Sequence, residues 1–345
     1  MIPHSKPYIT NKDRDAVDNV LRSGMIAHGD LVRRFEEACA RFLNVPDSIA
    51  VNRGTTALTT ALLALEMKSS AEVILPTYVC KNVAEAILFA GYKPVFCDVG
   101  DNWNMTPETV TRVMSDRTGA IVLVHIFGIP AHVESFLKFG IPIIEDACQA
   151  FGTKDNNQFV GTKGNIGFYS FHATKCLTTG EGGLIVSKEA SLIQKMRELR
   201  DGQDLLSPRL AVPLTDLQAA LGLSQLESYN EYIRQRRRIA DRYFTELNTL
   251  PIRLPDAVKL SSLFFRFPIR CGGNFNLIQQ MFAERGIHVR QGVDNLLHRT
   301  ENILDDTFPK ASLLSEETVS LPIYPALTND EQTAIISACR EIWGH

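Results

Sequence analysis

Short runs of almost continuous apolar residues recur through the first half of the chain, at Ser48–Asn52, Glu72–Leu75, Pro94–Asp98, Ala120–His125 and Ile141–Asp146. Strands with one wet face alternate apolar and polar residues. These runs do not, which is the pattern of parallel strands covered on both faces by crossover helices. Between them, Ala57–Met67 and Val79–Ala90 are built of helix formers. Strand and helix in alternation predict an α/β fold, with a mostly parallel central sheet covered by helices. Gly164–Phe171 and Gly183–Ser187 add two further strands. Thr215–Ile239 predicts a long helix with Leu217, Leu221 and Leu226 on one helix-spaced stripe, a pattern that serves core and subunit contact equally.

The texture changes near Asn248. Phe264–Ile269 alternates and reads as a half-buried strand, Asn276–Glu284 as a helix, Gly286–Arg290 as extended chain, and Thr328–Trp343, opened by Thr-Asn-Asp, as a terminal helix. This α+β pattern predicts a large domain over residues 1–240 and a small C-terminal domain over 241–345.

Composition narrows the function classes. The 345 residues suit about two domains at roughly 150 residues each. With 45% hydrophobic and 22% charged residues, a disordered or fibrous chain is excluded. The 36 basic residues are outnumbered by 39 acidic ones, so no overall positive field draws in nucleic acid. The basic run Arg234–Arg238 lies on the long helix near Glu227, Glu231 and Asp241 and reads as a salt-bridged face. Seven scattered cysteines without CxxC spacing predict free thiols in a reducing cytoplasm, with neither zinc nor disulfides. The first residues hold no apolar signal segment, and no run approaches the ~20 apolar residues of a membrane span.

Three segments carry candidate chemistry. Asn52-Arg-Gly-Thr-Thr-Ala57 passes from strand to glycine to helix, so Gly54, Thr55 and Thr56 can offer free amides and hydroxyls to a phosphate; an ordinary connection has the same look. Ile143-Ile-Glu-Asp-Ala-Cys-Gln149 puts an acidic pair at the carboxyl end of a strand, where α/β folds bind ligands. A carboxylate there can hold a protonated ring nitrogen or merely cap the next helix. Tyr169-Ser-Phe-His-Ala-Thr-Lys175 precedes the glycine-rich Thr178–Gly183. A lysine in such a place can form a Schiff base with a carbonyl, with Ser170 and His172 within reach, or it can be a surface lysine.

Asp146 precedes Lys175 by 29 positions. In this order and spacing, Glu-Asp-Ala-Cys-Gln, Ser-Phe-His-Ala-Thr-Lys and Gly-Glu-Gly-Gly resemble the DegT/DnrJ/EryC1/StrS aminotransferases, which are mostly sugar aminotransferases. Ser23–Gly29, Val124–Gly128 and Leu321–Pro325 extend the likeness over nearly the whole chain. The resemblance implies a fold-type I enzyme that uses pyridoxal 5′-phosphate and acts as a homodimer with the active site at the interface. It implies Lys175 as the residue that bonds the cofactor and moves the proton, and Asp146 as partner of the pyridinium nitrogen. Gly54, Thr55 and Ser170 would hold the phosphate, Tyr78 would stack on the ring, Gln149 would approach its O3′ side, and His172 would line the pocket. The implied reaction moves an amino group from an amino acid, glutamate, to a keto-sugar, nucleotide-linked in most of the family. Two alternatives stay open: a sugar dehydratase or epimerase, disfavoured because such relatives carry histidine in place of the lysine, and a non-catalytic regulatory relative.

The chain departs from that pattern at Arg53, where the family has serine, and at Ala211 and Pro213, where it has asparagine and arginine. Arg53 adds a cation beside the phosphate site and is a candidate for the substrate. Arg209 is the nearest substitute for the lost polar pair.

Overall fold

A computed structural model describes residues 1–202, 210–254 and 262–344. Its first half runs α1 (Asn11–Ser23), α2 (Asp30–Leu43), β1 (Asp47–Val51), α3 (Gly54–Ala64), β2 (Glu72–Pro76), α4 (Lys81–Phe89), β3 (Lys93–Cys97), α5 (Pro107–Val113), β4 (Thr118–Val124) and β5 (Ile143–Asp146). A small hairpin, β6 (Lys154–Asp155) and β7 (Gln158–Phe159), leads to β8 (Ile166–Ser170), β9 (Gly183–Ser187) and α6 (Ala190–Asp201). Then come α7 (Asp216–Leu247), β10 (Phe267–Arg270), α8 (Phe275–Glu284), β11 (Arg290–Gln291), α9 (Leu297–Thr300), α10 (Pro309–Glu317), β12 (Thr318–Leu321) and α11 (Asn329–Trp343).

The seven-stranded central sheet has the order β1-β9-β8-β5-β4-β2-β3. Only β9 runs against the others, pairing antiparallel with β1 and β8, while β8, β5, β4, β2 and β3 pair in parallel. Alternate residues of each strand enter different cores, as the two-residue period of a strand requires. Ile49, Val73, Leu75, Val122, Ile144, Phe168 and Ile185 face one apolar cluster with Leu58 and Leu62 of α3 and Met196 of α6. The opposite face is shared by two clusters. Ala50, Tyr169, Leu184 and Val186 meet Phe35 of α2 and Ala219 of α7, while Ile74, Ile121, Leu123 and Ile143 meet Val110 and Phe136. Both faces are thus dry, which is why these strands lack polar alternation.

The second sheet has the order β10-β12-β11, antiparallel throughout. Residue 240 falls inside α7, which continues unbroken to Leu247. The extreme N-terminus lies against the C-terminal part: Ile2 pairs with Ile287, and His4 Nε2 bonds Ser320 Oγ at 2.9 Å.

The leucine stripe on α7 divides. Leu226 packs against the second core, but Leu217 and Leu221 stay half-exposed, and the buried face is built from Ala219, Gly222, Ser224, Gln225 and Tyr229. Small residues are needed there because α7 crosses close to its neighbours. A Cβ on Gly222 would stand 2.7 Å from the Phe35 ring and 2.8 Å from the Thr179 methyl.

Candidate active site

A cleft of about 340 Å³ opens at the carboxyl edge of the parallel strands, where ligands of open α/β sheets bind. Arg53, Gly54, Thr55, Asp146, Gln149, Ser170, His172 and Lys175 all line it. Residues separated by more than a hundred positions therefore meet at one site, delivered by the ends of β1, β5 and β8.

The amino end of α3 forms one wall. Arg53 is its N-cap but makes no side-chain capping bond, so the first-turn amides keep their donors for a ligand. Gly54 is required by close approach, since a Cβ would stand 2.9 Å from Ser170 Cβ and 3.3 Å from Cys148 Sγ. Thr55 accepts a bond of 3.4 Å from Asn82 Nδ2, which ties α3 to α4. Arg53 Nη2 lies 3.3 Å from Glu181 across the cleft mouth. His172 Nδ1 lies 3.0 Å from Thr174 Oγ1, and its Nε2 lies 3.9 Å from Glu181.

The acidic pair separates because strand neighbours face opposite sides. Asp146 shares the face of Ile144 and enters the cleft. Its Oδ1 accepts the Cys148 amide at 3.0 Å, and burial pushes its carboxyl above the ordinary range. Glu145 faces the other way and is wholly structural in its contacts. It accepts the amides of Gly161, Lys163 and Gly164, each at 2.6 Å, and His125 Nε2 at 2.9 Å. The Ala131 amide donates to His125 Nδ1, so Nε2 carries the ring proton and donates to Glu145.

Lys175 belongs to the connection between β8 and β9. Its Nζ forms no ion pair among the described residues and stands 4.7 Å from the centre of the Phe265 ring. Gln149 Oε1 accepts the Phe127 amide at 2.7 Å, which leaves its NH2 end for the cleft.

Tyr78 does not do what the motif implied. It is fully buried, turned into the core with its ring edge-on to Phe127, and its hydroxyl fills the space beside Gly292. The cleft wall at that point is Val79 and Cys80 instead. The chain bends as it leaves β2, so facing past Pro76 no longer follows strand alternation. Arg209 lies outside the described residues. Ala211 has φ +51° and is exposed, and the next residues run beside the end of β1, with Val212 O accepting the Asn52 amide at 2.9 Å. Sequence reasoning also missed Asn82, Glu181 and Cys80 as lining residues. Glu181 is the acidic residue of the Gly-Glu-Gly-Gly segment.

Pyridoxal phosphate makes separate demands on a protein: donors for a dianion, an acid for the ring nitrogen and an amine for the aldehyde. The uncapped start of α3, packed tightly enough on Ser170 to exclude a Cβ at Gly54, suits the phosphate. The buried Asp146 gains by meeting a protonated nitrogen, because an opposite charge offsets the cost of burial. Lys175 is an amine in the field of Asp146 that forms no ion pair among the described residues. A site of this kind on this sheet defines a pyridoxal-phosphate enzyme of fold type I.

Comparison with known proteins identifies the branch. The profile of the DegT/DnrJ/EryC1/StrS aminotransferase family matches residues 7–340, and the chain belongs to that family of pyridoxal-phosphate aminotransferases. Among solved structures it is similar to the aminotransferase TlmJ from Streptoalloteichus hindustanus, at 28% identity over 99% of this chain and 98% of that one, with a TM-score of 0.92. PseC of Helicobacter pylori, an aminotransferase involved in the biosynthesis of pseudoaminic acid, is 26% identical over 99% and 98%, with a TM-score of 0.92. Spr1654 of Streptococcus pneumoniae in its PLP form is 25% identical over 99% and 98%, again with a TM-score of 0.92.

Proposed function

We propose that the protein transfers an amino group from an amino-acid donor, glutamate, to the keto group of a nucleotide-linked sugar. The observation that carries the reading is the meeting of Lys175, unpaired, with the buried Asp146 and the open start of α3 in one cleft. The family and the similar PseC support a sugar acceptor. Lys175 would hold the cofactor through its aldehyde and would take and return the proton that amino transfer moves. Asp146 keeps the ring nitrogen protonated. The bound cofactor supplies an electron sink for the carbon that loses this proton. Gly54, Thr55 and Ser170 hold the phosphate, Gln149 directs its NH2 group at the ring's oxygen, and His172 and Arg53 border the substrate.

The same reading makes the active enzyme a cytoplasmic homodimer whose second subunit completes the site. In support, Leu217 and Leu221 of α7 are half-exposed, and α1, packed on α7, carries the exposed Leu21 and is followed by the exposed Met25 and Ile26. No described helix is long and apolar enough to cross a membrane.

The test is spectroscopic. Protein loaded with pyridoxal phosphate is expected to give the visible band of the lysine-bound cofactor, and glutamate to convert it to the amine form. Lys175→Ala is expected to lose the band and all turnover; the same band in that variant would overturn the assignment.

A further inference from the structure

The chain between β2 and α4 is gripped by the C-terminal part of the molecule. Thr77, the first residue past β2, donates its amide to Cys97 O at 2.9 Å on the sheet side. On the other side its carbonyl accepts the Leu297 amide at 3.0 Å, and its Oγ1 accepts the His298 amide at 3.0 Å. Its hydroxyl proton goes to His298 Nδ1 at 2.8 Å. Thr77 and His298 are both fully buried.

The imidazole is fixed at both nitrogens and on one face. Its Nε2 donates to Asp305 Oδ1 at 2.9 Å. Arg299 and His298 hold the Asp305 carboxyl well below the usual carboxylate range, so it stays an acceptor, and Nδ1 is left to accept from Thr77. The Phe308 ring stacks on the imidazole with the centres 4.6 Å apart. A buried ring held in this way has one orientation to offer its partner.

The wall of the cleft lies just beyond that grip. Tyr78 is locked in the core beside Gly292, and Cys80 is the N-cap of α4. Val79 and Cys80 line the cleft, and Cys80 lies in the fields of both Asp146 and Lys175. Only the immobile Tyr78 separates Thr77 from that wall, so a shift at Thr77 is passed on and not absorbed.

We propose that His298 is a positioning residue for the cofactor: through the Thr77 hydroxyl it sets the bend that holds Val79 and Cys80 at the cleft wall beside Asp146 and Lys175. His298 is not among the residues that line the cleft and acts only through Thr77. A wall set in advance spares the ligand the cost of ordering it. This rests on the reading that pyridoxal phosphate occupies this cleft, and adds that the C-terminal part shapes its wall.

The two ring bonds of His298 can be removed separately. His298→Gln keeps a donor for Asp305 and loses the acceptor for Thr77, whereas His298→Asn keeps that acceptor and loses the Asp305 bond. Thr77→Val removes the hydroxyl and Thr77→Ser keeps it, which preserves the test if a histidine variant fails to fold. Cys80 is the one exposed cysteine among the described residues and serves as reporter. Its alkylation by iodoacetamide is followed by peptide mass spectrometry, with and without pyridoxal phosphate, beside the visible band and the melting temperature of cofactor-free protein. In wild type the cofactor is expected to slow the alkylation of Cys80 tenfold or more. His298→Gln and Thr77→Val are expected to change the cofactor-free rate threefold or more and to reduce the protection below threefold, while His298→Asn and Thr77→Ser keep both near wild type. A histidine that only stabilises the fold would lower the melting temperature in both of its variants with the rates unmoved. That result, equal rates in all four variants, or an unprotected Cys80 in wild type that shows the band would each overturn the proposal. Absence of the band in wild type, with the cofactor-free rate still changed by His298→Gln and Thr77→Val alone, would instead overturn the cofactor reading and uphold the grip.

Discussion

At Gly54 the absence of a side chain is what lets the α3 amides reach Ser170. Gly54→Ala places a methyl 2.9 Å from Ser170 Cβ and pushes two walls of the cleft apart. Its affinity for pyridoxal phosphate, measured by equilibrium dialysis, is expected to fall tenfold or more with the melting temperature of the cofactor-free protein little changed. Glu145 tests the other half of the acidic pair. Glu145→Ala strands buried amides and the His125 ring proton, an expected cost of about 3–5 kcal/mol, read as a lowered melting temperature even without cofactor. That Lys175, Asp146 and Gly54 line one cleft fits their spacing and the close packing at the glycine. Direction was not legible in the sequence. The pair Glu145-Asp146 looks symmetrical in sequence and is divided only by the strand's two faces. Tyr78 was misplaced because no periodicity governs a bend.

Among elements, the strands were the most legible. Gly183–Ser187 is found with the expected bounds, and the parallel strands deviate by a residue or two at their ends, since a strand buried on both faces must be apolar throughout. Nothing predicted α1, α2, α5, α6 or α10, although α1 and α2 separate their apolar and charged residues cleanly onto two faces. The long helix was expected to end at Ile239 and continues to Leu247, because Tyr243 and Leu247 pack into the core beyond it. Its start is fixed by a reciprocal cap: the Gln218 amide donates to Thr215 Oγ1 at 3.3 Å, and Gln218 Oε1 accepts the Thr215 amide at 3.1 Å. Thr215→Ala is expected to cost about 1 kcal/mol in denaturant unfolding. Gln218 also donates to Glu181 O at 2.8 Å, so the loss should be felt in the loop that carries the lysine. At the opposite edge of the sheet, Ser115, Arg117 and Lys93 hold the Glu72 carboxyl at about 2, below its usual 4.5, and bind the starts of β2, β3 and β4 together. A depressed folded-state pKa adds stability that is complete above about 4.5 and lost as pH falls through about 2. Glu72→Gln is expected to flatten the fall of melting temperature across that acid range.

For the whole molecule, the proposed dimer sets a test on α7. Leu221→Arg places a charge on the half-exposed stripe and is expected to shift sedimentation from dimer to monomer, with loss of activity and retention of the circular dichroism spectrum. An unchanged dimer would remove α7 from the interface. The change in texture near Asn248 falls at the end of α7, whereas the boundary expected at residue 240 falls inside that helix. The return of residues 2–4 to the C-terminal sheet was not readable, because two segments so far apart in sequence carry no local mark of their pairing.

The reversal of β9 has a further consequence for Lys175. A connection between parallel strands must travel the length of the sheet and back, but here the chain leaves β8 and re-enters β9 at one edge. The lysine is therefore held on a short tether knotted at both ends: the Phe171 amide bonds Gly182 O at 2.9 Å, Thr179 bonds Phe171 O at 3.0 Å, and Lys175 itself bonds His172 O at 2.8 Å. Such a segment has little conformational freedom left to lose when it bonds a ligand. Its amides should exchange with deuterium as slowly as those of the sheet even in cofactor-free protein, so that the backbone carrying Lys175 is set before any ligand arrives.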